Sequence, residues 1–276
     1  MLSQSQMGNL HIYWDRTIYM GLKMPYKRTV RQLRDGSYSN SGNSGYIKHS
    51  NYANSPEKYI RSFLLIQNDI QKIFEYVEPV DKNKRSYSYR IHELFIRVCI
   101  EVETNCKAIL RENGYTRKKE KYWNMSDYCL LEKTHMLSAY EVVLPRWDGK
   151  YGKFKPFSKW TENKGLKWYQ YYNGVKHDIH TNFRHANIKN LVEATCGLVV
   201  LLSAQFLNED FSPDLGCLAL EGSGDGMEPS VGSYFRVKYP IFDNDSRYDF
   251  IWQDIKDQQN IIQCHDYNSM IKDSYK

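Results

Sequence analysis

Apolar residues recur at steps of three and four in several stretches of the chain, and these predict its main elements. The clearest stripe starts after Ser88: Ile91, Leu94, Phe95, Val98, Cys99, Val102, Cys106, Ile109 and Leu110. Ser88 is placed to cap this helix, and Asn113-Gly114 offers a left-handed stop. Glu93–Arg97, Arg97–Glu101 and Glu103–Lys107 stand four apart on its polar flanks, where opposite charges support a helix weakly. An earlier helix opens at Ser55-Pro56, buries Ile60, Phe63, Leu64, Ile70, Ile73, Phe74 and Val77, and closes at Pro79. A third covers roughly 166–179. A fourth runs from about Thr181 to Phe206 through Phe183, Ala186, Ile188, Leu191, Val192, Cys196, Val199 and Leu202. Its far end is apolar almost all round, which predicts a central buried helix.

The remaining stretches lack this period. Residues 1–55 read as an irregular arm: Asp35 to Asn54 is rich in Ser, Asn, Gly and Tyr, with little apolar surface to offset ordering entropy. Within the arm, His11 to Met24 is more apolar, enough to add a strand or dock on the core. A short helix follows Ser126, Ala139 to Leu144 reads as a strand closed by Pro145, and 146–165 is a Gly/Lys/aromatic loop. Beyond Pro213, Gly222 to Gly226 is a flexible loop. Ser233–Tyr239 and Tyr248–Trp252 alternate like two strands joined at Asn244-Asp245. The expected fold is mainly α: a helical bundle over 56–206, an irregular arm over 1–55, and an extension over 207–276 bearing a small β-hairpin.

Charge changes this picture. The net charge is +6, and residues 111–185 hold 15 Lys+Arg against 8 Asp+Glu, so the excess sits in the middle of the chain. Clustered cations favour polyanions through counterion release. Part of that excess is the run Arg117, Lys118, Lys119 and Lys121 beside Tyr115, Tyr122 and Trp123. Such a run is usually a solvated loop, yet rings that stack bases and cations that track phosphates also suit single-stranded nucleic acid. The 23 tyrosines fit either half-wet surfaces and interfaces or nucleobase stacking. The six cysteines form no CxxC pair, which argues against a zinc site and a disulfide scaffold. No signal peptide and no apolar run of membrane-spanning length is evident, so a cytoplasmic protein without a membrane is expected.

Candidate chemistry concentrates in residues 172–187. Asn173, Lys176, His177 and His180 recur at helical steps, so a continuous helix would set them on one face, with Tyr172 beside them as a nucleic-acid contact. Imidazoles exchange protons near neutrality, and an ammonium stabilises developing charge. Phosphodiester cleavage without metal needs a base, an acid and a cation, and this set contains them. Arg184 and His185 follow as a phosphate clamp. A plainer reading stands beside this one: a histidine-rich turn that only caps helices. A metal reading lacks a third ligand, since Asp178 is the only obvious carboxylate nearby, so neither metal nor cofactor is expected.

The segments YSYRIHELFIRVCIEVETNCKAIL (87–110) and WYQYYNGVKHDIHTNFRHANIKNLVEATCGLVVLL (168–202) resemble the HEPN superfamily. These are all-α nucleic-acid-associated domains of bacterial toxin and phage-defence proteins. The resemblance covers roughly residues 56–206. It implies a helical bundle, a homodimer, and metal-independent RNA cleavage in which a ribose 2′-hydroxyl attacks and leaves a cyclic phosphate. It also implies an Arg, four to six residues, then a His near the start of the last core helix. No such pair occurs there. Arg85 to His92, at the start of the second helix, is the only pair with that spacing. Two functions are therefore expected as alternatives: an RNA-acting protein, with His177, His180, Lys176 and Asn173 as catalytic groups, or a non-catalytic module that binds nucleic acid or protein.

Overall fold

The computed structural model describes residues 21–40, 42–211 and 226–270. Its helices are α1 (Pro56–Phe74), α2 (Tyr89–Glu112), α3 (Met125–Tyr128), α4 (Glu132–His135), α5 (Lys167–His177), α6 (Ile179–Asn182), α7 (Ile188–Phe206) and α8 (Trp252–Ile255). Its strands are β1 (Glu141–Val143), β2 (Lys153–Phe154), β3 (Glu228–Pro229) and β4 (Arg236–Lys238). The chain is mainly α, as expected, with one small antiparallel sheet in the order β2-β1-β4-β3.

Four long helices make the body. Ser88 caps α2 by accepting the Ile91 amide, and Gly114 turns out of it at φ 74°. At the opening of α1, Ser55 is left-handed and makes no cap, so Pro56 alone marks the start. The direction of each helix follows from its partners. Tyr87 bridges Asn187 at one end, and Gln205 donates to Asn105 at 3.0 Å at the other, so α2 and α7 run parallel and level. Asp69 of α1 meets Arg97 at 2.9 Å while Asn54, just before α1, meets Glu112 at 3.0 Å, so α1 is antiparallel to α2. Tyr169 bonds Glu103 while the Tyr172 ring approaches Phe95, so α5 is antiparallel as well. Helix α7 is buried along nearly its whole length. It is long and apolar enough to cross a bilayer, but 89% of its apolar window is covered by protein.

Three expectations about the polar and irregular parts need correction. Arg97 pairs with Asp69 across helices and Glu103 accepts from Tyr169, because neighbouring helices supply better-placed partners than the α2 surface. The described part of the arm is not loose: Arg28, Thr29, Val30, Leu33, Tyr46, Ile47 and Tyr52 join the same core as the bundle. The C-terminal hairpin does not form. Strand β4 pairs with β1 instead, in the register Val142↔Val237, and the Tyr248 amide donates to the Gln32 carbonyl. Residues 1–20 and most of the Gly222–Gly226 loop lie outside the described residues. Many of the tyrosines turn out to be core residues, among them Tyr46, Tyr52, Tyr128, Tyr140, Tyr248 and Tyr267.

Two buried polar centres tie the arm down. Arg28, with 0% exposure, pairs with Glu112 at 2.7 Å and donates to Gln205 at 2.8 Å and to the Asn54 carbonyl at 3.0 Å. Nearby, the His135 Nε2 lies 2.9 Å from the Arg28 carbonyl, which can only accept, so that nitrogen carries the proton. Nδ1 then accepts from the Thr134 hydroxyl at 2.7 Å. Thr29 links this ring to His265, which stacks on Tyr26 at 4.1 Å. Burial pushes the His135 imidazole down to about 4 and pushes His265 down as well.

Two outcomes follow for stability. Both rings are neutral in the folded protein, so their contribution is complete above the ordinary imidazole value of 6.5 and is lost as pH falls through it. His135 alone is expected to cost on the order of 3 kcal/mol by about pH 4. Urea melts at neutral pH and at decreasing pH check this, and His135→Gln should flatten the dependence. Arg28→Ala is expected to lose about 3–5 kcal/mol in the same melts, because it strands a buried carboxylate.

Candidate nucleic-acid interface

Helix α5 ends at His177 because Asp178 leaves helical geometry, at φ −148° and ψ 93°. Its carboxylate then caps α6 by accepting the Thr181 amide, and the Thr181 hydrogen bonds hold that carboxyl below its ordinary range. Aspartate gains more as a cap than inside a helix, which accounts for the break. The single face expected of Asn173, Lys176, His177 and His180 is therefore interrupted: the first three belong to α5 and His180 to α6. Gly174 lets the two helices close on each other, since a Cβ there would stand 3.2 Å from the Asn182 side-chain oxygen. After α6, a tight turn over Phe183–His185 is pinned by Asn187, which donates to the Arg184 carbonyl, and by Asn190, which donates to the His185 carbonyl.

The corner is open. Lys176, His177, His180 and Arg184 are exposed, and Asn173 is half-buried. No described residue hydrogen-bonds the His177 or His180 ring. The Lys176 ammonium lies 5.3 Å from the Tyr172 ring centre. Tyr172 itself is fully buried against Phe95 and Tyr169, which corrects its expected role as a nucleic-acid contact. His185 is stacked on Tyr171 at 4.3 Å, nearly parallel, and burial with the nearby Arg184 and Lys167 charges lowers its pKa. Its ring is therefore packed against a neighbour, unlike those of His177 and His180. Among the described residues no group of three His, Cys, Asp or Glu side chains is placed to hold a metal ion.

The basic run does not join this corner. Arg117, Lys118, Lys119 and Lys121 follow the C-terminal end of α2, whereas the histidines gather at its N-terminal end. A helix of 24 residues separates the two by about 36 Å. Two of the rings expected to stack bases there are also unavailable: Tyr115 and Trp123 are buried against each other at 5.2 Å. Lys118 is drawn to Asp127 at 3.0 Å, and Tyr115 donates to the same carboxylate at 2.7 Å. Of that group Tyr122 stays exposed, under the Lys121 ammonium at 4.8 Å. Arg117 and Lys118 line a cleft of about 470 Å³ with Glu132 and Trp160.

In place of the basic run, the start of α2 joins the histidine corner. The Ile188 amide donates to the Ser86 carbonyl and the Lys189 amide to the Lys84 carbonyl, both at 3.0 Å, so the strand leading into α2 lies along the start of α7. His92, the second member of the Arg85/His92 pair, places its ring edge-on to Phe183 at 6.0 Å. Burial lowers its pKa. His92 was legible as part of a spaced pair, but its position beside residue 183 needed the fold. No protein-family model, no curated protein and no solved structure matches the chain.

Removing the Tyr171 ring is expected to expose His185. Tyr171→Ala should therefore move the His185 titration up towards the ordinary imidazole value, read by proton-carbon NMR of the ring across a pH series. An unchanged titration would mean that the stacking does not control the exposure of that ring.

Proposed function

We propose that this chain is an RNA-acting helical protein of the HEPN-like type that engages single-stranded RNA where α5 turns into α6. The observation that carries this reading is the exposure of Lys176, His177, His180 and Arg184 within nine residues at one end of the bundle. The α2 and α7 N-termini lie at that end and present partial positive charge, offset in part by the C-terminal ends of α1 and α5, which pack antiparallel to α2. The nearest carboxylate, Asp178, is engaged as a helix cap and held ionised by it, so it offsets only part of that field. The bundle of α1, α2, α5 and α7 around one core is compatible with the resemblance, and a cytoplasmic homodimer in a bacterial defence or toxin setting is the context it suggests.

In the catalytic form of this reading, His177 takes the 2′-hydroxyl proton, His180 donates to the leaving oxygen, Lys176 stabilises the phosphorane and Asn173 positions the strand. Balance is kept because the proton removed by one imidazole is replaced by the one the other releases. The break at Asp178 favours the second reading, a module that binds without cleaving. General acid–base work needs rings held in place, and neither of these is held within the described chain.

The discriminating assay is cleavage of a labelled RNA in EDTA, with binding followed in parallel. Cleavage to a cyclic phosphate that falls at least a hundredfold in His177→Ala supports the enzyme. Salt-sensitive binding without cleavage supports the module. Activity abolished by EDTA and restored by Mn²⁺ overturns both.

A further inference from the structure

The same end of the bundle carries exposed rings that the reaction above does not use. Tyr87 and Tyr89 flank the Ser88 cap and remain 51% and 67% exposed. Phe183 lies between them, with ring centres 5.3 Å from Tyr87 and 4.7 Å from Tyr89. The backbone beneath is fixed by the hydrogen bonds from Ile188 and Lys189 and by the Tyr87–Asn187 bridge. Rings on an ordered backbone offer a face to a ligand at small entropic cost.

Charge decides what such a ligand is. Residues 82–92 contain Lys82, Lys84, Arg85 and Arg90 and no carboxylate. The facing segment adds Arg184 and Lys189. Glu93 pairs with Arg90 at 3.0 Å, and Lys84 sits 3.6 Å above the Tyr151 ring; of the rest, Lys82, Arg85 and Arg184 are exposed, and Arg85 and Arg184 stand nearest in sequence to Tyr87 and Phe183. Tyrosine and arginine also occur in protein interfaces, but the core of such an interface is depleted of lysine, whereas this patch carries Lys82, Lys84 and Lys189. Rings interleaved with cations fit a single strand, whose bases stack and whose phosphates are tracked.

We infer that Tyr87 and Tyr89, buttressed by Phe183, form a stacking platform for unpaired bases of RNA, with Arg85 and Arg184 taking the flanking phosphates. This rests on the RNA-binding reading above and adds how the strand is held: by the faces of its unpaired bases, stacked on Tyr87 and Tyr89, rather than by their edges. The platform lies beside His92 and the α6 corner, so a strand stacked on it would run past the exposed imidazoles.

The test is fluorescence anisotropy with three probes: a short labelled oligoadenylate, an abasic strand of equal length, and the oligoadenylate paired to oligouridylate. The wild type is expected to bind the oligoadenylate about tenfold more tightly than the abasic strand, as stacking of one or two bases provides. Tyr87→Ala/Tyr89→Ala should erase that preference and leave abasic binding unchanged, while Tyr87→Phe/Tyr89→Phe should retain it. Circular dichroism checks folding, and Tyr89→Ser alone gives a milder variant with a smaller loss expected in the same direction. If the alanine variant keeps the preference, or if the duplex binds best, the platform is overturned while RNA binding stands. If the wild type binds none of the probes, the RNA-binding reading falls too.

Discussion

A guanidinium with no exposed surface is the constraint on which the rest of this fold depends. Arg28 carries a full charge inside the protein and holds φ at 51°, a left-handed conformation that costs a residue with a Cβ about 1–2 kcal/mol. Most of the guanidinium's hydrogen bonds are met at one point, with Nε left without a partner. Glu112 ends α2 with its carboxylate 2.7 Å away, Gln205 offers its side-chain oxygen from the last turn of α7, and the Asn54 carbonyl closes the set just before α1. The rings of Tyr59 and Phe206 face the guanidinium at 4.6 and 5.5 Å. An ion pair of this kind adds little net stability against an apolar replacement. Its effect is asymmetric, because any arrangement that separates the partners leaves a bare buried charge.

That asymmetry sets the register of the bundle. Glu112 and Gln205 both reach the Arg28 guanidinium from the C-terminal ends of α2 and α7, so the two helices run parallel, and the Gln205–Asn105 bond keeps them level, with Tyr87 beside Asn187 at the other end. Both positive helix ends therefore emerge together. Helices α1 and α5 pack antiparallel to α2, so α5 delivers its last turn, with Lys176 and His177, to that same end. The location of the histidine corner is thus a consequence of the polar knot at the opposite end. The buried pair of His135 and His265 strengthens the same knot by fastening residues 26–29 to the C-terminal segment.

The four long helices were legible because each buries a stripe with its own period, but the last begins at Ile188 and not near Thr181, because the Asp178 cap and the Phe183–His185 turn separate α6 from it; local rules also gave the Ser88 cap and the Gly114 stop. The arm and the C-terminal extension were misread for one shared reason. Their apolar residues are tyrosines and isolated aliphatics, spaced without period, and many of them bury themselves against partners 150 or more residues away. Tyr248, for example, donates to the Thr29 carbonyl. A window of sequence has no access to such pairs. The same limit shaped the site. Lys176, His177, His180 and Arg184 came from local clustering, and the fold leaves them exposed. Tyr172 flanks that cluster in the sequence and so pointed to a ligand contact, yet it lies on the buried side of α5. Tyr87, Tyr89 and His92 gained significance only through Phe183, some ninety residues further on.

What separates a binding surface from a catalytic one here is the orientation of the imidazoles. A general base works when its other nitrogen is fixed, so that tautomer and ring angle are set before the substrate arrives. His135 shows what that looks like in this protein: one nitrogen donates to a carbonyl, the other accepts from a hydroxyl, and the ring is locked. It is also wholly buried, and its basicity is suppressed by that burial. His177 and His180 have the opposite character, being open to solvent and unheld within the described chain. Orientation and access are thus divided between two sets of histidines. For the exposed set to act on a phosphodiester, the orienting group has to come from outside the described residues, and the bound strand itself is one source of it. The break at Asp178 points the same way: it prevents α5 from presenting both imidazoles on a single rigid face.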